Sequence, residues 1–189
     1  MGVWLPAYFM RIHGMGSGEV GTWMALIYGI GGGTGVLYGG YLSDRVVKTT
    51  GDERWYMWAS ALAILFCAPF AFFVFLSSRP IPALLFLIIP LTVMHMILGP
   101  VTAMIQGLAG LRRRAVAAAV YLFLANLVSM GLGPVIVGIA SDYFSPRYGN
   151  ESLRYALLVI VVVTFVWSSI HFFLAARTLR EDLAVAGKS

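Results

Sequence analysis

Charge is scarce in this chain. Lys, Arg, Asp and Glu make up 11% of its 189 residues, against about 25% in an ordinary soluble domain. Thiols and imidazoles are scarcer still, with one cysteine and three histidines. Cys67 lies inside an apolar run, so no intrachain disulfide can form. His13, His95 and His171 fall outside, within and near the inner edge of the apolar runs, so they do not converge on one metal. No Cys or acidic ligand accompanies them. Asp44 and Asp142 end different runs and face opposite ways, which excludes a paired-carboxylate site. The stretch "GIGGGTG" has the glycines of a phosphate cradle but not the preceding strand or the following lysine. No catalytic, metal or cofactor constellation emerges, and the reading is of a protein that is not an enzyme.

What is present is apolar. Hydrophobic residues make up 60% of the chain, and the mean hydropathy is +0.86. The bilayer is the solvent such a chain suits. A net charge of +5 and a pI near 9.6 raise nucleic acid as a partner, but the bases are not interleaved with aromatics on a polar face. They sit in the gaps between apolar runs, as in membrane proteins. Five runs, roughly 22–42, 55–76, 82–108, 115–141 and 154–176, are long enough for complete spans, since a helix needs ~20 residues to cross the hydrocarbon. Helices are required, because the runs lack the alternation of barrel strands. Val3 to Met10 is too short to cross and has no basic flank for a signal peptide. It reads as the outer end of a helix that begins outside the chain. The expected division is a truncated helix end at 1–10, a helical bundle over 11–180 and a cytoplasmic tail over 181–189.

Bases set the orientation. Arg45, Lys48, Arg54, Arg112, Arg113, Arg114, Arg177, Arg180 and Lys188 collect on one side; Arg11, Arg79, Arg147 and Arg154 collect on the other. The richer side is expected to be cytoplasmic, with the C-terminus inside, in a multi-pass protein of a bacterial inner membrane. Asn150-Glu-Ser152 matches a glycosylation acceptor, but it abuts the last run and such triplets are frequent by chance.

Within this frame, "GGYLSDRVVK" (39–48) stands in a short cytoplasmic loop. Gly40-x-x-x-Asp44-Arg45 between two spans resembles the loop signature of the major facilitator superfamily. Val47 stands where the family pattern has glycine, Lys48 keeps one of its two bases and Thr49 lacks the other. A carboxylate at a helix end can meet the positive N-terminus of another helix, and Arg45 can tie the neighbouring loop. The bland alternative is a solvated helix end. "LRRRA" at 111–115, "ARTLREDL" after the last span, and five spans plus a remnant fit the C-terminal six-helix half of this all-α membrane fold. Tyr121-Leu122, Asn126-Leu127, Gly131-Leu132-Gly133-Pro134, Gly138 and Asp142 follow the order of the eleventh helix in the spinster-like branch. "WLPAYFMRIHGM" and Glu19-Val20-Gly21 resemble that branch's seventh helix and turn.

The resemblance implies a secondary transporter working by alternating access, with lysolipid or sphingoid-type substrates. A sugar or organic-anion transporter is the alternative, although an anion cavity more often holds a buried Arg or Lys. A membrane enzyme or a non-transporting receptor is the alternative of another class. The implied partners are membrane lipid, a small-molecule or lipid substrate, and the N-terminal half of the same transporter.

Two residue patterns supply candidate sites. Gly31, Gly35 and Gly39 recur every fourth residue, the spacing of close helix packing, and Gly131, Gly133 and Pro134 punctuate the fourth span in the same way. A hinge is the other reading of these glycines. Thr92, His95, Gly99, Thr102 and Gln106 fall on one face of the third span. With Tyr28, Tyr121, Asn126 and Ser129 they are the candidates for a substrate path, since polar groups in hydrocarbon are functional by default. For His95 and Asn126 an interhelical hydrogen bond is the competing role. Gly40, Asp44, Arg45 and Lys48 are the candidate conformational switch.

Overall fold

The computed structural model describes residues 2–186, and among them no strand occurs. Four helical runs are long and apolar enough to cross a membrane: Ser17–Thr50, Trp55–Leu76, Pro80–Leu108 and Arg114–Ala186. The last is a hairpin, folded at Gly149, whose φ of 52° and ψ of −124° suit glycine alone. Five spans therefore stand side by side, preceded by the short helix α1 (Trp4–His13).

The first span comprises α2 (Ser17–Leu26), a wider π-helical turn at Ile27–Gly32, and α3 (Gly33–Thr50). The second is α4 (Trp55–Leu76). The third is α5 (Pro80–Met96) and α6 (Leu98–Leu108), jointed at Ile97. The fourth comprises α7 (Arg114–Asn126), a second π-helical turn at Leu127–Leu132, and α8 (Gly133–Tyr148). The fifth is α9 (Ser152–Ala186).

The helices outrun the apolar runs that signal them. The first span begins five residues before position 22 and ends eight after position 42, so the 39–48 stretch is helical rather than a loop. Only Gly51 to Arg54 connects it to α4, with Gly51 at a φ of 66°. Helix α1 runs across positions 10 and 11, and α9 continues unbroken through 181–186, the described part of the expected tail. The remainder of that tail, 187–189, lies outside the described residues, as does Lys188.

The short connections make neighbouring spans antiparallel and sort the molecule into two ends. Arg45, Lys48, Arg54, Arg112, Arg113, Arg114, Arg177 and Arg180 belong to one end, where Met57, Ala176 and Leu179 pack together with Met104 and Leu183 around them. Arg11, Arg79, Arg147 and Arg154 belong to the opposite end. There the Tyr8 hydroxyl donates to the Val74 carbonyl at 3.1 Å, and Arg154 pairs with Glu151 at 2.7 Å.

The second and fifth spans form the spine. Ala61, Cys67, Val74, Leu157 and Ala176 are buried along it, and the buried Ser169 hydroxyl donates to the Ala61 carbonyl at 2.9 Å. In lipid, helices associate through close packing and such bonds rather than by escape from water.

The seam between the first and third spans is closer still. A Cβ added at Gly31 would stand 2.7 Å from Thr92 Oγ1, one at Gly35 would stand 2.5 Å from the Thr92 carbonyl oxygen, and one at Gly39 would overlap the Met96 backbone. Pro100 explains the last contact. Its ring has no N–H for the carbonyl of residue 96 and crowds it, so the helix breaks at Ile97. The freed Met96 carbonyl faces Gly39, whose lack of a side chain lets the backbones touch.

The fourth span is the loose member. Helix α7 and its π-helical turn contain no buried residue. Helix α7 lies against α6, and the far end is docked through the Ser141–Ser152 hydroxyl contact at 3.1 Å and the Trp4 indole N–H donating to the Pro134 carbonyl at 3.2 Å.

The seam predicts a contrast between glycines of one helix. Gly39→Ala should lower the detergent-phase unfolding temperature, since forcing a methyl group into a filled contact costs about 1–3 kcal/mol. Gly33→Ala, where nothing lies within 4 Å, should leave it unchanged or raise it. Equal effects in a thermal-shift series would dismiss the seam.

Candidate functional site

Asp44 and Arg45 do not pair with one another. Both are exposed on α3. Tyr56, at the start of α4, donates its hydroxyl to Asp44 Oδ1 at 2.8 Å, while Arg45 Nη1 donates back along its own helix to the Tyr41 hydroxyl at 3.1 Å. Lys48 is exposed, and Gly40 has open space on its Cβ side. Tyr56 was not a candidate from sequence. Its signal is the tight connection, which returns the chain beside Asp44 twelve residues on. The connection itself is held by Arg54, which donates twice to Asp52, at 3.0 Å from Nε and 2.7 Å from Nη2. Those hydrogen bonds hold the Asp52 carboxyl below its ordinary range.

The joint at Ile97 divides the polar residues of the third span. Thr92 and His95 turn toward the first span. His95 Nδ1 donates to the Leu91 carbonyl at 2.7 Å; a carbonyl only accepts, so Nδ1 carries the hydrogen. Its ring packs edge-on against Tyr28, with centroids 6.0 Å apart, and Nε2 would lie 3.4 Å from a Cβ at Gly32. Beyond the joint, Gly99 lies near Gly40. Half-buried Thr102 donates to the Leu98 carbonyl at 2.6 Å, and Gln106 is half-buried near the basic end.

The fourth-span candidates are separate from this group. Tyr121 is half-buried, whereas Asn126 and Ser129 are exposed. Asn126 Nδ2 donates within its own helix to the Leu122 carbonyl at 2.7 Å. Among the described residues, no second helix comes within 4 Å of a Cβ at Gly131 or Gly133. The structure thus gathers Tyr28, Thr92 and His95 at one seam and leaves Tyr121, Asn126 and Ser129 on an open face. No acidic or basic residue occurs on that face between Arg114 and Asp142.

The amino-acid sequence matches a known family. The model of the Major Facilitator Superfamily matches residues 1–131. The chain belongs to the major facilitator superfamily. It is 34% identical over 178 residues to an MFS-type efflux pump of Mycolicibacterium smegmatis. That alignment takes in 94% of the chain and 41% of the relative, so the chain spans less than half of the pump's length. Within a superfamily member, an exposed apolar face with isolated polar groups is a surface for lipid, substrate or further protein.

Cysteine labelling separates these. In Cys67→Ala protein, cysteines at 102 and 126 should react with a membrane-impermeant maleimide at least about tenfold faster than cysteines at 104 and 169, if the first pair faces a water-filled path. Met104 and Ser169 pack into the bundle. Inertness at both 102 and 126 would assign those faces to lipid or to a packed seam.

Proposed function

We propose that the chain is the C-terminal half of a secondary transporter that works by alternating access and moves an amphipathic small molecule out of the cytoplasm. The observation that carries this reading is the open fourth span, uncharged from 115 to 141 and bearing Tyr121, Asn126 and Ser129. A face with hydrogen-bonding groups but no fixed charge suits a substrate with a long apolar part and a small polar head. Lysolipid and sphingoid-type molecules have that chemistry, in line with the chain's resemblance to the spinster-like branch. Sugar or organic-anion transport is less well supported, since no Arg or Lys stands within the middle of a span. Export is supported by the name of the mycobacterial relative, an efflux pump.

In this reading the substrate path runs between the open faces of the first and fourth spans and a half that this chain does not contain. The basic end is cytoplasmic, following the positive-inside rule. The spine of second and fifth spans stays rigid while the two halves rock about the central site. Tyr28 and His95 adjoin the path from the seam, and Thr102 and Gln106 line its cytoplasmic mouth. Asp44 belongs to the closed cytoplasmic end, with Tyr56 steadying its carboxylate for a contact with a helix N-terminus of the other half. That contact exists only while the end is closed, and a contact shifts an equilibrium only by its difference between states.

Two measurements test this. In a thermal-shift panel on full-length protein, lysolipids or sphingoid bases should raise the unfolding temperature, and sugars should not. Stabilisation by sugars alone would replace the substrate assignment. In accessibility labelling, Asp44→Asn should raise the inward-open to outward-open ratio about two- to fivefold, the range of an exposed charge at a helix end. Tyr56→Phe should act in the same direction more weakly. An unchanged ratio in Asp44→Asn would reduce Asp44 to a solvated helix end.

A further inference from the structure

The motif that ends the first span recurs at the end of the fourth. Gly33-x-Gly35-x-x-x-x-Gly40-x-x-Ser43-Asp44 and Gly131-x-Gly133-x-x-x-x-Gly138-x-x-Ser141-Asp142 share five residues at the same spacing. The likeness extends to structure. A six-residue π-helical turn accompanies each copy, Ile27–Gly32 just before the first and Leu127–Leu132 overlapping the start of the second. Each ends with a serine turned into the bundle, Ser43 and Ser141 both being 8% exposed, and then an exposed aspartate. Each stands just before the turn into the next span, so Asp44 and Ser141 both reach that span's first turn, at Tyr56 and Ser152.

The two copies point opposite ways. Three reversals separate the first span from the fourth, so Asp44 lies at the basic end and Asp142 at the other. Asp142 has no hydrogen-bond or ion-pair partner among the described residues. Two of the four cations of its own end have contacts elsewhere: Arg154 with Glu151 at 2.7 Å, and Arg147 over the Tyr148 ring at 5.5 Å. Around Asp142 the helix surface is open, with Ile139 65% and Tyr143 80% exposed. An exposed carboxylate at a helix end, next to a serine that contacts Ser152, and unmatched among the described residues, suits a positive partner outside this chain.

We infer that Asp142 is a latch for the outer end of the transporter, the mirror of Asp44. It engages a helix N-terminus or a basic side chain of the other half when the outer ends close, and it releases when they part. This inference rests on the alternating-access reading above, and the occupant of the Asp142 face is the remaining length of the transporter, which the longer relative possesses. The two aspartates then bias one equilibrium in opposite directions. Asp44 favours the state closed at the basic end, and Asp142 the state closed at the outer end.

The test uses full-length protein with single reporter cysteines at each end, in the Cys67→Ala background. Asp142→Asn should lower the inward-open to outward-open ratio about two- to fivefold, opposite in sign to Asp44→Asn, and Asp142→Glu should keep the wild-type ratio. The double variant should return toward wild type. Gel-filtration monodispersity shows that each variant folds, and Asp142→Ser is a second neutral variant should the asparagine form aggregate. An unchanged ratio in folded Asp142→Asn, or a shift of the same sign as Asp44→Asn, overturns the latch while leaving the transporter reading intact. Reporters that never show two states overturn both.

Discussion

Gly39 against the Met96 carbonyl is the contact on which the arrangement of this half depends. A bilayer gives helices no gain from hiding apolar side chains from one another, so their association relies on how closely backbones approach. Pro100 cannot donate to the Met96 carbonyl and pushes the helix into a joint at Ile97. The exposed carbonyl is accommodated because the facing helix carries glycine there. Gly35 and Gly31 extend the same contact up the seam, so one proline and three glycines set how the first and third spans lie together.

The rest of the bundle divides by how completely each span is covered. The second and fifth spans are packed along their length, joined by the Ser169–Ala61 bond. The first span is covered on its glycine side and open on the other. The fourth lies against α6 through α7 and is hydrogen-bonded through α8, by Trp4 and Ser152. Covered spans suit a rigid frame, and the open ones carry both copies of the glycine–serine–aspartate motif. An aspartate that finds little in its own chain is well placed to respond to whatever approaches the open face.

Much of this was legible in the sequence for a plain reason. Hydrocarbon demands about twenty apolar residues per crossing and forces every backbone amide into a helix, so span number, helical class and the two charged ends follow from counting. The Gly40-x-x-x-Asp44-Arg45 motif pointed to the superfamily, and the match over residues 1–131 bears that out. Span ends were less legible. Helices continue past the apolar run into polar residues such as Ser43 to Thr50, because their ends are set by connection geometry at Gly51 rather than by hydropathy.

Partnerships belonged to the tertiary structure alone. Nothing in the residue order says that Asp44 meets Tyr56 rather than Arg45, or that Thr92 and His95 turn to the first span while Asn126 is exposed and bonds within its own helix. A helical period places residues on a common face, but only packing decides which neighbour that face meets. Sequence alone determined the solvent, the helices and the charged ends, since each follows from local composition. Which polar groups are sealed in a seam and which stay open was decided by contacts between distant spans.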